Sequence, residues 1–418
     1  MSAAGASWHF TVLGAGVVGL CCALALRRDG HRVTLIDRDE PGAGTSFGNA
    51  GLIQIDSVVP VATPGILRRV PGMLLDPKGP LVLRWRYLPR IAPWLVQFVR
   101  AAQPESVERI SVALASLLDL SNGAWERVVA ETGADDLWRR TGELHVYRRK
   151  EAWEGARASH AIHRRRGSEL QDLTVDEVRQ LEPALSRDLH AGVFTPTANS
   201  IAHPFLLSQR IAARFRALGG EVVRDEIRRI ERRPDGSVAA LEGMSARYEV
   251  DALVIAAGAF SKPFAASCGA RLPLDTERGY HLWLPDPGVE MRRPVIAGDY
   301  KFGIVPMTGG LRLAGMVEFV GLDAPPFWQR ADLLGELARD FVPGLNFDAA
   351  ERWMGYRPSL PDSLPVIGAA PGARDVYFAF GHGHLGLTMG AVTGEIVAGL
   401  AAGRPPPVDL APFRPDRY

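Results

Sequence analysis

A glycine turn set between two short apolar strands restricts this chain more than any other stretch. Residues 10–37 read FTVLGAGVVGLCCALALRRDGHRVTLID. Phe10–Leu13 has the pattern of a buried strand, and Gly14-Ala15-Gly16-Val17-Val18-Gly19 follows it directly. Val17–Arg28 reads as a helix, Gly30 suits its C-terminal cap, and Arg32–Ile36 reads as a second strand ending at Asp37. Asp37 stands 18 positions after Gly19. Three glycines at this spacing, between strand and helix and followed by a carboxylate, form the fingerprint of a dinucleotide site.

Each residue type has a physical task there. Gly14 permits the tight turn, Gly16 lets the backbone approach a pyrophosphate, and Gly19 lets helix and strand pack closely. The phosphate charge would meet free N–H groups at the positive helix end. Asp37 would accept hydrogen bonds from a ribose hydroxyl, and its charge disfavours a 2′-phosphate.

At 418 residues the chain can bury a large core and should hold two domains or lobes. With 48 basic and 47 acidic residues the net charge is +1, which gives no basis for nucleic-acid binding. The three cysteines, Cys21, Cys22 and Cys268, have no metal-ligand spacing and suit a reducing compartment. The opening residues carry no basic stretch followed by an apolar core. No run approaches the ~18 consecutive apolar residues of a spanning helix. These features suggest a cytoplasmic protein.

Beyond Asp37 comes a polar glycine loop, Pro41–Gly51, able to lie against a flat or charged ligand, with Ser46 and Asn49 as hydrogen-bonding groups. Leu88–Ala102 has the pattern of a short amphipathic helix, for packing on a second lobe or for contact with a membrane surface. Val107–Glu131 reads as a long helix interrupted at Asn122-Gly123, and Gly142–Tyr147 as a strand. Glu151–Arg166 reads as a polar helix whose Arg164-Arg165-Arg166 run is a solvated face. Thr174 and Glu177 make a capping box, and Pro204 suits the first turn of a helix over Phe205–Leu218. A strand over Glu221–Val223 and a hairpin over Arg228–Tyr248 turning at Pro234-Asp235-Gly236 follow. Ala252–Gly258 reads as a buried strand that returns to the nucleotide domain and ends in small residues. Arg278–Leu284, Phe302–Met307 and Leu311–Phe319 alternate as strands of a second sheet, and Asp332–Phe341 reads as a helix. The end of the chain supplies strand Val376–Phe380, the loop Gly381–Gly386 and a helix over Leu387–Leu400.

Taken together these stretches resemble the D-amino acid oxidase-like FAD enzymes, and within them the bacterial FAD-dependent D-amino acid dehydrogenases. The resemblance runs the length of the chain. It is carried by the glycine turn with Asp37, Thr45–Gly51, Val254–Gly258, Arg278-Gly279-Tyr280-His281, Trp353–Gly368 and Gly381–Gly386. The late stretches RPSLPDSLPVIG and GHGHLG are more specific than the nucleotide motif and favour FAD over NAD.

The resemblance implies an α/β fold, with a Rossmann-type FAD-binding domain interleaved with an α+β substrate domain built on an antiparallel or mixed sheet. Residues 1–57, 195–275 and 350–418 would form the first domain, and 58–194 and 276–349 the second. Gly14, Gly16 and Gly19 would cradle the FAD pyrophosphate and Asp37 the adenosine ribose. Ser46, Asn49, Ala50 and Gly51 would line the flavin side, and Val223 would touch the adenine through its backbone. Ala257 and Gly258 would pass near the pyrophosphate, and Gly383, His384, Leu385 and Gly386 would face the flavin pyrimidine. Arg357, in Gly-x-Arg-Pro, would bind the substrate carboxylate, with Tyr280, His384, Tyr356 and His382 as further lining groups. His382 and His384 lack the partners of a metal site. No cysteine follows Cys268, so FAD would be noncovalent.

The implied reaction is hydride transfer from the Cα of a D-amino acid to flavin N5, giving an imino acid or, after hydrolysis, a 2-oxo acid. D-proline or a hydroxyproline is included among the substrates. Electrons would pass to a quinone or carrier rather than oxygen, with peripheral contact at the inner face of a membrane. The alternatives are a glycine or sarcosine oxidase-like enzyme producing hydrogen peroxide, a nonenzymatic FAD-binding assembly protein, and an NAD-dependent hydroxy acid dehydrogenase.

Overall fold

The computed structural model describes residues 8–65, 70, 72, 76, 79 and 81–418; the reading of the first seven residues lies outside that set. The glycine fingerprint folds as its sequence predicts. Strand β1 (His9–Leu13) leads through the turn into helix α1 (Val17–Arg28), and strand β2 (Arg32–Asp37) pairs beside β1 in parallel. Both strands are almost wholly buried, which suits a parallel sheet covered on both faces. The sheet continues on one side with Glu221–Arg224 and on the other with Ala252–Ile255, Val376–Phe380 and Val366–Ala369. Only the last pairing is antiparallel.

Two further helices pack in the same layer as α1. The helix Gly386–Ala401 crosses α1 so closely that a Cβ on Gly394 would stand 2.6 Å from the Cys21 carbonyl. Cys21 and Cys22 are buried in that contact, and burial raises the Cys21 thiol to about 12, so both act as small packing residues. The long helix Pro104–Thr132 packs against the same layer, with Leu114, Leu117, Leu118 and Trp125 in one core with Leu20 and Val392. It runs unbroken through Asn122-Gly123. Tertiary packing outweighs the local preference: Ser121 and Ala124 on either side are buried, and Asn122 accepts a hydrogen bond from Asn199 Nδ2 at 3.0 Å.

The second sheet is mixed. Among the described residues its strands run in the order 351–359, 275–284, 310–319, 302–307, 295–297, 143–147, 191–195 and 171–173, with Leu81–Leu83 beside 310–319. Most pairs are antiparallel; 295–297 with 143–147, and 81–83 with 310–319, are parallel. Its outer face carries a core of Leu282, Phe302, Leu313, Leu334 and Phe341, covered by the helix Gln329–Ala338. Its inner face looks back toward the first sheet.

Several details depart from the sequence reading. Strand Glu351–Ser359 belongs to the second sheet, although residues 350–418 were grouped with the nucleotide side, and Pro104–Thr132 packs on the first core. The segment after Arg224 forms three antiparallel strands, 227–232, 238–243 and 247–249, rather than a simple hairpin. Arg166 is not free in solvent: its Nε donates to Ser111 Oγ at 2.7 Å and its Nη2 pairs with Glu108. The Thr174–Glu177 capping box forms as expected.

Trp125 ties the two layers together, because its Nε1 donates to the carbonyls of Leu387 at 2.8 Å and Thr388 at 3.0 Å. Trp125→Phe removes the donor from a buried site and is expected to lower unfolding free energy by about 1–3 kcal/mol in a denaturant titration.

Candidate active site

Between the two sheets lies one cavity of about 1180 Å³. That exceeds the ~300–1,000 Å³ of ordinary small-molecule pockets and leaves room for a large cofactor with a small substrate. The first sheet contributes its strand ends: Gly14 and Gly16 after β1, Asp37 at the end of β2, and Ala256–Gly258 after Ala252–Ile255. This is the crevice at the carboxyl ends of parallel strands, where open α/β sheets bind ligands.

The glycine turn is shaped by steric need. Gly14 has φ +107°, and a Cβ there would stand 2.5 Å from the Ala256 carbonyl oxygen. A Cβ on Gly19 would fall on the Gly14 carbonyl, so α1 could not pack. A Cβ on Gly16 would meet only Ser46 Oγ, at 3.4 Å, on the cavity side. Asp37 Oδ2 accepts the Ala15 N–H at 2.6 Å and Oδ1 the Asp39 N–H at 3.0 Å. Burial nevertheless raises its carboxyl above the usual range. Ser46 Oγ accepts the Val17 N–H at 2.9 Å, which brings the polar loop over the helix start.

That loop is held from the other side by the second sheet. Thr45 Oγ1 donates to the Tyr356 carbonyl at 3.0 Å, and His281 Nδ1 donates to the Gly48 carbonyl at 3.1 Å. Arg312, buried and with its ionisation pushed down to about 10 by burial, donates to the carbonyls of Phe47 and Asn49. Asn49 Oδ1 accepts the Gly51 N–H at 2.7 Å. The sequence reading missed Arg312; a lone arginine in a strand carries no signal of its own.

Ser46, Asn49, Ala50, Ala257, Gly258, Gly383, His384 and Gly386 line the cavity. Gly51 and Leu385 are buried just behind it, and Val223 pairs with Ile36 in the sheet. At that edge Asp225–Arg228 line the cavity. The helix Gly386–Ala401 points its N-terminus into it.

Arg357 enters from strand 351–359. Its guanidinium passes over Gly279, where a Cβ would collide with it, and reaches strand 310–319. There Nη1 donates to the Met316 carbonyl at 2.8 Å and Nη2 to that of Gly315 at 3.2 Å. Three of its five N–H bonds stay uncommitted among these contacts. Burial pulls its ionisation down and Glu277, its cross-strand neighbour, pushes back. Burial also raises the Glu277 carboxyl, which accepts a hydrogen bond from Ser359 Oγ at 2.5 Å.

The other expected groups differ in kind. His384 is exposed, opening onto the cavity, and its enclosure between the cavity walls followed by the nearby Arg357 charge lowers it to about 4, which favours the neutral ring at pH 7. His382 is buried with Nε2 against Thr393 Oγ1 at 3.0 Å. Tyr280 borders the cavity, but its side chain is buried in the outer-face core with Leu282, and its hydroxyl donates to Glu318 Oε2 at 2.5 Å and accepts the Phe327 N–H at 3.0 Å. Tyr356 lines the wall and packs edge-on against Phe260.

Comparison with known proteins agrees with this geometry. The family model described as DAO, FAD dependent oxidoreductase, matches residues 9–400. A D-amino-acid oxidase of Bradyrhizobium diazoefficiens is 39% identical over 417 residues, covering 98% of this chain and 99% of that protein. A D-amino acid dehydrogenase of Paramagnetospirillum magneticum is 34% identical, covering 97% of this chain and 98% of that protein. Among solved structures, glycine oxidase from Geobacillus kaustophilus aligns with a TM-score of 0.73 at 22% identity, over 99% of this chain and 100% of that one. L-proline dehydrogenase from P. horikoshii gives 0.74 at 18% identity, over 98% and 97%. At these identities the two structures speak for the fold.

The residues present fit FAD. Gly16 offers an open backbone approach, and Gly258, at φ +55°, would place a Cβ in empty space within the cavity. Gly14→Ala is expected to fold poorly around Ala256 and to lower the flavin-to-protein ratio of the purified protein at least about tenfold, read by absorbance.

Proposed function

Because the chain belongs to the DAO family of FAD-dependent oxidoreductases, binds FAD and acts on amino acids, we propose that it oxidises a D-amino acid whose carboxylate is held by Arg357. The observation that carries this reading is the pinned guanidinium. Two backbone carbonyls fix its plane inside the cavity, so little side-chain entropy remains to be lost when a carboxylate binds. A planar fork with free N–H groups and a permanent charge suits a carboxylate. The relatives that act on D-amino acids by name support the handedness.

Bound FAD supplies, at N5, the acceptor for the electron pair that leaves the Cα–H bond. The chain's own groups orient and solvate. Gly14, Gly16, Gly19 and Asp37 hold the nucleotide half, and Ser46, Asn49 and Ala50 the flavin half. The N-terminus of Gly386–Ala401 favours the negative charge of a reduced flavin. Neutral His384 adds no competing cation beside Arg357, and its imidazole can exchange hydrogen bonds with the substrate amine. Tyr280 supports the sheet from its outer face, with its hydroxyl committed to Glu318 and Phe327. The substrate amine enters unprotonated, so no side-chain base is needed for the Cα–H step.

The three cysteines are buried, and none is among the described residues that line the cavity, which supports noncovalent FAD. For the acceptor, the favoured reading is a quinone or carrier at the cytoplasmic face of a membrane. Exposed apolar residues support it: Val61 and Val99 line the cavity and are also exposed, and Trp85, just before the helix that carries Val99, is 73% exposed. Arg86, Arg90 and Arg100 lie on the same segment as Trp85 and Val99. No described helix is long and apolar enough to cross a membrane.

Arg357→Lys keeps the charge and loses the fork. It is expected to raise KM for every D-amino acid substrate by about 10–100-fold, the worth of one charged hydrogen-bond pair; an unchanged KM rules out Arg357 as the anchor. Acid precipitation is expected to leave all the flavin in the supernatant, and flavin retained on the polypeptide contradicts noncovalent binding.

A further inference from the structure

Arg357 owes its seat to an irregularity in the strand that it reaches. Tyr280 pairs with Gly315 and Arg278 with Glu318, so two steps along 275–284 match three along 310–319. Gly279 therefore faces two residues, Met316 and Val317, which makes a β-bulge. Met316 has φ +63°. Three other described non-glycine residues, Lys301, Ser363 and Asp375, have positive φ, and each stands in a turn or bend between strands. Among these four, Met316 alone lies within a strand.

Glycine is usual in the left-handed region, and a longer residue is strained there; such strain persists only where the surroundings hold it. Here they do. The Met316 side chain is buried in the outer-face core, where its sulfur receives Arg330 Nη2 at 3.2 Å. Arg330 is itself 3% exposed, and the same nitrogen donates to the Gly79 carbonyl at 2.6 Å. Just past the bulge Glu318, wholly buried, accepts the Tyr280 hydroxyl at 2.5 Å and Arg84 Nε at 3.2 Å. No step of the reaction uses these buried polar groups, and all of them brace the same short piece of strand.

The consequence lies on the cavity face. In a regular antiparallel strand consecutive residues address opposite neighbours, so their carbonyls point to opposite edges. At the bulge the carbonyls of Gly315 and Met316 both turn to the Arg357 guanidinium, at 3.2 and 2.8 Å. Gly279, opposite the bulge, leaves the space through which that side chain passes. We propose that Met316 is the positioning residue of the carboxylate anchor: its left-handed backbone turns two consecutive carbonyls to one side and so sets the plane in which Arg357 meets the substrate. The inference rests on Arg357 as the anchor and adds the device that aims it. A fork held by one carbonyl can swivel, whereas one held by two presents a fixed edge to the substrate.

Side-chain volume and backbone preference pull apart in three substitutions. Glycine accepts positive φ but deletes the side chain, alanine adds one methyl that disfavours it, and isoleucine refills the core but is β-branched and disfavours it most. On the FAD-loaded enzyme we expect KM for D-alanine to rise in the order Met316→Gly, Met316→Ala, Met316→Ile, with the last at least about tenfold above the first and kcat changing less than KM. The dissociation constant of propionate, read from the flavin spectrum, should follow the same order and needs no turnover. A residue that only fills the core gives the reverse order, with Met316→Gly worst and Met316→Ile mildest, and that result overturns the proposal. If Met316→Ile does not fold, the other two decide: Met316→Ala about threefold or more above Met316→Gly supports the seat, and equal values or the reverse overturn it. Arg357→Lys, measured in parallel, separates this proposal from the reading beneath it. A rise in KM and in the propionate constant for Arg357→Lys, without the expected order among the Met316 variants, removes Met316 and leaves the anchor. No rise for Arg357→Lys removes both.

Discussion

A long cationic side chain can cross a neighbouring β-strand only where that strand offers no side chain of its own. Arg357 meets this condition at Gly279, and the architecture of the site follows from it. The guanidinium lies on strand 310–319 instead of its own, where two carbonyls fix its orientation. Its charge therefore sits inside the cavity between the sheets rather than at the edge of the second one. The cost of burying it is offset locally by Glu277 and by those carbonyl dipoles.

The two sheets are joined through the polar loop after β2. On one side Ser46 caps the start of α1; on the other Thr45, His281 and Arg312 fasten the same loop to the second sheet. The loop's backbone is thus fixed from two directions, as befits a wall for a planar cofactor. Trp125 plays the corresponding part behind the opposite wall, holding the carbonyls where the helix Gly386–Ala401 begins. The cavity consequently has polar walls of defined geometry, positive at Arg357 and at the helix end.

What could be read from the sequence was whatever is written in contiguous residues. The β1–turn–α1–β2 unit and the Thr174 capping box depend on neighbours a few positions away, and each folds as read, while the strand read over Ala252–Gly258 ends at Ile255 and leaves its small residues in the turn that follows. The Asn122-Gly123 break did not occur, because burial of Leu117, Leu118 and Trp125 along one face stabilises the helix by more than a poor local propensity costs it. The contact between Gln54 and Glu143 left no trace in sequence. The two meet only when the segment after the polar loop folds against strand 143–147. The fate of the Tyr280 hydroxyl likewise depends on the pairing of 275–284 with 310–319, which brings Glu318 within reach.

The account holds that this cavity joins a flavin to an amino acid fixed by its carboxylate, and anaerobic mixing of the FAD-loaded enzyme with single D- and L-amino acids tests that most directly. Bleaching of the flavin by D-amino acids, with the L-isomers and the corresponding decarboxylated amines inactive, is the predicted result. Equal bleaching by amines that lack the carboxylate, or none by any amino acid, would contradict it.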